Sequence, residues 1–217
     1  MRIIIIPLII LLLLSGCSSL PEAPGISSEE LVAIEARYGI EARERVQSWR
    51  NIIEDNKTQP VSAKLEIANR FFNLLTFEDD SVHWKQEDYW ATPIETLATQ
   101  GGDCEDFSIG KYFTLKELGV SDQCMRLTYV KSLNLNKPHM VLNFQCDNSE
   151  ESLVLDNIVA AIMPSSTRTD LLPVYSFNAN GLWLAKQQGT GKQVGEASRL
   201  SLWTELLHRI KQPVSPQ

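Results

Sequence analysis

Apolar residues recur at three- and four-residue intervals through the first half of the chain and gather into short, branched-rich runs through the second. The first pattern is that of helices with one buried face, the second that of strands. Leu31, Ile34 and Tyr38 follow Ser27-Ser28-Glu29-Glu30, whose Ser-x-x-Glu spacing marks a capping box at a helix start. Gly39 interrupts, and Ala42 to Ile53 resumes the pattern with Val46, Trp49 and Ile53 on one face. A third helix is predicted over about Ser62 to Leu75, where Leu65, Ala68, Phe71, Phe72 and Leu75 share a stripe. Residues 76–101 read as irregular and carry Trp84, Tyr89 and Trp90, the rings nearest Cys104 in sequence. A fourth helix follows from about Asp103 to Leu118, closed by Gly119.

Beyond it the period changes. Cys124 to Val130, His139 to Gln145 and Leu153 to Asp156 are predicted strands, with Asp147-Asn148-Ser149-Glu150 turning between the last two. Val174–Phe177 and Leu182–Leu184 flank Asn178-Ala179-Asn180-Gly181 as a second hairpin. A last amphipathic helix, about Ser198 to Ile210, places Leu200, Trp203, Leu206 and Leu207 together. Helices first and antiparallel strands afterwards predict an α+β domain.

The start of the chain belongs to another category. Met1-Arg2 precedes an apolar run from Ile3 to Leu14, too short to span a bilayer and suited to a signal segment. It ends in Leu14-Ser15-Gly16-Cys17, which looks like a bacterial lipobox, so residues 1–16 are expected to be removed and Cys17 lipidated. The alternative is an ordinary signal peptide with a chance cysteine. Ser18, where an inner-membrane lipoprotein would carry Asp, points to the outer membrane and a periplasmic, lipid-anchored domain. Residues 17–28 read as a tether, 29–212 as one domain and 213–217 as a tail. The net charge of −7, with no basic cluster, argues against nucleic acid as a partner. No Cys-x-x-Cys zinc spacing occurs among the four cysteines. An extracytoplasmic location permits a Cys124–Cys146 bridge; two buried free thiols are the other reading.

Cys104 carries the chemistry. It sits in Gly101-Gly102-Asp103-Cys104-Glu105-Asp106 at the head of the fourth helix. The helix dipole favours its thiolate, while three flanking carboxylates oppose it, a conflict that asks for a counter-charge. His139 opens one predicted strand and Asp156 closes the next. With a turn at 147–150, paired positions have numbers summing to about 297, which puts Asp156 within two residues of the position opposite His139, on the same face. Cys104 as nucleophile, His139 as base and then acid, and Asp156 as the orienting group would form a triad. A buried core cysteine, a strand-edge histidine and an Asp-Asn turn remain the plain alternative. Likewise, the acids Asp103, Glu105 and Asp106 read either as helix caps or as ligands of a hard cation.

Asp88-Tyr89-Trp90-Ala91-Thr92-Pro93-Ile94-Glu95, the block from Gly101 to Tyr112, Leu118-Gly119-Val120, His139-Met140-Val141-Leu142, Leu153-Val154-Leu155-Asp156-Asn157 and Pro173–Asn178 together resemble the bacterial transglutaminase-like cysteine peptidases of the LapG type. The resemblance covers about residues 38 to 185. It implies a papain-like, transglutaminase-like core, the triad Cys104, His139 and Asp156, and Ca2+ held by Asp103 and Glu105 with Asp106 as a further ligand. It also implies a large exported adhesin as substrate, its cleavage releasing cells from biofilm, and an inner-membrane cyclic di-GMP-responsive receptor as inhibitor. A lipobox is not a defining feature of these mostly soluble periplasmic proteases. Transglutaminase-type acyl transfer and a non-catalytic lipoprotein binding module are the competing readings.

Overall fold

The computed structural model describes residues 26–146, 149, 151–184 and 191–214. The lipobox, Cys17 and most of the expected 147–150 turn lie outside the described residues.

Seven helices and nine strands follow in chain order among the described residues: α1 Ser28–Tyr38, α2 Ile40–Asn56, α3 Val61–Phe72, β1 Thr76–Phe77, α4 Asp80–His83, α5 Pro93–Thr99, β2 Gly101–Gly102, α6 Cys104–Glu117, β3 Met125–Ser132, β4 Lys137–Phe144, β5 Leu153–Leu155, β6 Met163–Pro164, β7 Leu171–Asn178, β8 Gly181–Leu184, β9 Gln193–Gly195 and α7 Ser201–Ile210. The Ser27/Glu30 capping box closes α1 as its spacing predicts, each side chain taking the other residue's backbone N–H. Gly39 separates α1 from α2 because the chain there needs φ of 90°, which side chains rarely adopt.

Strands β3 to β9 form one antiparallel sheet in the order β6-β5-β4-β3-β7-β8-β9. One face packs on α6, the hub of the molecule. From Asp106 to Leu115 every residue of α6 is buried, because α3 and α5 cover its far side. Such a helix shows no amphipathic stripe, being enclosed all round. Gly110 lets it approach α3: a Cβ there would overlap the Phe72 ring. Polar ties fix the packing. Trp49 donates from Nε1 to Thr114 Oγ1 at 2.8 Å, and Lys64 Nζ reaches the Leu118 carbonyl at 2.6 Å, satisfying an orphan acceptor at the helix end. On the opposite sheet face Val130, Val141, Val154 and Leu171 make a small second cluster.

Cys124 and Cys146 are joined by a disulfide, one residue before Met125 and two after Phe144 at the Met125↔Phe144 end of the β3–β4 ladder. The bond closes a loop of 22 residues of sequence separation. On chain-entropy grounds such a loop is worth about 3 kcal/mol. Replacing both cysteines by Ala is therefore expected to lower unfolding free energy by about 3 kcal/mol, read from denaturant titration. An unchanged midpoint would mean that the hairpin is held by its ladder alone.

Candidate active site

The approach to Cys104 is built from strong local signals. Thr92 caps α5 in a second capping box with Glu95, Pro93 occupies the first turn, and Gln100 ends the helix in the left-handed region. Arg45 holds the last carbonyls of α5, Leu97 O at 2.7 Å and Ala98 O at 2.8 Å. The chain then runs through Gly101-Gly102, paired with β1, into α6. Gly102 has no room for a side chain, since a Cβ would overlap the Asp106 carboxylate. Asp103 is the N-cap, its Oδ1 accepting from the Glu105 N–H at 3.2 Å.

Cys104 is thus the first residue of α6 and half-buried. Its Sγ donates to Glu105 Oε2 at 2.8 Å, and the Met140 N–H of β4 reaches the sulfur. Burial pushes the thiol far above its ordinary range, and the charges of Glu105 and Asp103 push it further. Ser108 Oγ, one turn along, donates to Met140 O at 3.0 Å, so the head of α6 is fastened to β4 beside His139.

His139 and Asp156 meet directly. The β4–β5 ladder pairs Leu142 with Leu155 and Asn143 with Val154, the register whose numbers sum to 297. Continued, it leaves Asp156 two residues from the position opposite His139, and His139 Nε2 lies 2.8 Å from Asp156 Oδ1. Burial works against ionisation of Asp156, but hydrogen bonds from His139, the Ile158 N–H and Arg168 prevail and hold its pKa at about 2. An ionised acceptor requires the proton on Nε2, which leaves Nδ1 to serve the thiol. Among the described residues Cys104 makes no hydrogen bond to His139; the thiol is turned to Glu105.

Asp80, from α4, joins the acids beside the cysteine. Asp80, Asp103 and Asp106 bring carboxylate oxygens within 4.8 Å of one another, and Asp103, Cys104 and Glu105 form an overlapping group. Burial raises Asp80 to about 6 and Asp106 to about 8; Asp103 is pushed up by burial and by Glu105. Asp106 accepts from Ala91 N–H at 2.7 Å and Trp84 Nε1 at 3.1 Å, and Asp80 Oδ2 from Tyr89 N–H. Asp80 Oδ1 is buried without a hydrogen-bond partner. Oxygen donors at this spacing, one of them orphaned, fit a hard dication whose ligands stand 2.3–2.6 Å from the metal.

The sequence model of the bacterial transglutaminase-like cysteine proteinases, BTLCP, matches residues 41–189, more than half of the chain. The chain belongs to this family. The peptidase is 43% identical to the solved structure of Legionella pneumophila LapG, over 87% of this chain and 100% of that one, with a TM-score of 0.74. An EGTA-treated form of the same Legionella protein matches with 43% identity, the same coverage and a TM-score of 0.76. A calcium-bound form matches with 42% identity over 86% of this chain and 100% of that one, with a TM-score of 0.73. No curated protein sequence gave a significant match.

Other residues of the peptidase sort by their contacts. Trp90 is buried and stacked on Phe177, and Tyr89 donates to Glu95 Oε1 beneath the Arg209 guanidinium, so both rings are structural. Trp84 serves the site indirectly, through Asp106. His83 bridges Glu78 and Thr99 under Gly101, and His208 on α7 is paired with Gln212 just past the end of that helix. Sequence reasoning missed Asp80, although Glu78-Asp79-Asp80 is an acidic run ahead of the rings. It also missed Tyr129 and Tyr175, stacked 5.1 Å apart and half-buried within electrostatic reach of Glu105.

Proposed function

We propose that the peptidase is a calcium-dependent endopeptidase with the triad Cys104, His139 and Asp156, and that it cleaves a large exported adhesin to release cells from biofilm. The observation that carries this reading is the His139–Asp156 hydrogen bond at 2.8 Å beside a helix-initiating cysteine. His139 Nδ1 takes the Cys104 proton as sulfur attacks the scissile carbonyl carbon. The S–C bond forms, and the developing oxyanion is met by the Cys104 backbone N–H, free at the helix start. Collapse breaks the C–N bond, and the leaving amine takes the proton back from His139. Water, deprotonated by the same imidazole, then cleaves the thioester and restores the thiol. Asp156 holds the ring and balances the imidazolium through both halves.

Asp80, Asp103, Glu105 and Asp106 would hold calcium, consistent with the calcium-bound Legionella relative. The ion supplies the counter-charge that these acids and the thiolate lack. If Glu105 were among its ligands, binding would compete with the hydrogen bond that keeps the Cys104 proton in place.

The lipobox supports a lipid-anchored periplasmic peptidase, placed near an adhesin retained at the outer membrane. An inner-membrane receptor responsive to cyclic di-GMP would restrain it. Hydrolysis and amine transfer share one acyl-enzyme, so the test supplies both acceptors. Calcium-loaded protein with an adhesin fragment and a labelled amine should give two shortened products and no incorporated label. Label without cleavage would establish acyl transfer and overturn the protease reading.

A further inference from the structure

The aspartate beside His139 is gripped from behind. Asp156 Oδ2 accepts from Arg168 Nη2 at 2.8 Å, while Oδ1 is shared by His139 and the Ile158 N–H. Arg168 is itself fixed. Its Nε donates to Asp170 Oδ1 and its Nη2 to Asp170 Oδ2, both at 2.9 Å. The Asp170 carbonyl accepts from Leu133 N–H at 2.8 Å, which ties this loop to the end of β3. Arg168 is only 5% exposed although it bears a permanent charge. An arginine so deeply buried, with a dedicated carboxylate clamping its fork, is an expensive arrangement unless it positions something.

We propose that Arg168, clamped by Asp170, is a positioning residue that locks the Asp156 carboxylate in its ionised form and in line with His139. The inference rests on the triad reading above. Four charged or titratable groups face Asp156 or its clamp: His139 from β4, Arg168 and Asp170 from the loop before β7, and Lys111 from α6. Lys111 is fully buried, its ammonium has no hydrogen-bond partner, and burial lowers it to about 7. A cation that weakens near neutrality cannot hold Asp156 across the working pH range; the guanidinium can.

The sign follows. Without Arg168, burial dominates and the Asp156 pKa rises, so the carboxylate is protonated, and the thiolate–imidazolium pair lost, at higher pH than in the wild type. The readout is the pH dependence of Cys104 alkylation by iodoacetamide in the calcium-loaded full-length protein, with the labelled residue located by mass spectrometry. Arg168→Ala should move the acid limb up by about one to three pH units, the size of an opposite charge within contact. Arg168→Lys, which keeps charge but not the fork, should restore part of the shift, and Asp170→Asn should give a smaller shift of the same sign. A folded Arg168→Ala protein with the wild-type limb overturns the proposal. If that variant does not fold, wild-type limbs in both Arg168→Lys and Asp170→Asn overturn it. Asp156→Asn separates the two levels. A wild-type limb in Asp156→Asn sinks the triad itself, whereas its loss there and retention in the Arg168 variants sinks only the clamp.

Discussion

Chelation with EGTA is expected to bring cleavage to background, and added calcium to restore it. Asp80, Asp103, Glu105 and Asp106 crowd around Cys104, and burial and mutual repulsion outweigh their hydrogen bonds and favour protonation of Asp80 and Asp106. Metal-free, the thiol sits far above its ordinary range and donates to Glu105. Asp103→Ala or Glu105→Ala should mimic chelation at ordinary calcium levels. Asp80→Asn should raise the calcium needed for half-maximal activity, since it removes a charge from the group containing the orphaned oxygen. Stability gives an independent measure. Ligand at a hundred times its Kd adds about 2.7 kcal/mol, or a rise in Tm of roughly 5–10 °C for a domain of this size. Asp80 and Asp106 have pKa values of about 6 and about 8 against an ordinary 3.8, so the folded metal-free state binds more protons than the unfolded chain. Its stability therefore falls as pH rises through that window. The calcium-induced gain in Tm should be larger at pH 8 than at pH 5 because binding must displace those protons. Full activity in EGTA would reduce the acids to helix caps.

Cys104→Ala should lower kcat on the order of a millionfold, the scale on which a triad fails when its nucleophile is removed. No other free cysteine is present among the described residues to replace it. His139→Ala should cost about as much, because sulfur and base act as one unit. Asp156→Asn should cost on the order of 10⁴-fold, by favouring the wrong imidazole tautomer. Calcium-induced stabilisation should persist in His139→Ala, whose side chain is not among the acids. Comparing adhesin size and biofilm detachment between wild type and Cys104→Ala checks the cellular claim. Equal detachment would mean a binding module in place of a protease.

Much of this was legible in the residues, and the exceptions have physical reasons. Periodicity found α2 and α7 because each buries apolar side chains at helical spacing; α6, enclosed all round, has no such stripe and was marked by its closing Gly119. The β4–β5 register was legible because a short hairpin leaves little freedom in pairing, and it alone brought Asp156 to His139. Residues 76–101, read as irregular, hold α4, α5 and two short strands. The Thr92-Pro93-x-Glu95 capping signature of α5 was present but passed over; four-residue α4 is too short to show a period. Asp80 was illegible as a ligand because only the folded chain carries it to Asp106. The third predicted helix stops at Phe72 rather than Leu75, where the chain turns toward β1. The strands β6 and β9, two and three residues long, lie below what an apolar run can signal. Arg168 shows in sequence only as one basic residue in a polar loop.

The order in which the chain supplies the site has a consequence for how the enzyme comes into being. Cys104 and its acids lie in the first half, whereas His139, Asp156 and the Arg168–Asp170 clamp all follow in the second. On the proposed triad and clamp, a chain emerging N-terminus first carries the nucleophile before its base and clamp exist. Hydrolytic power can arise only once the sheet has paired through β5 and docked on α6. The peptidase is in this sense its own zymogen: the timing of folding protects the cell that makes it.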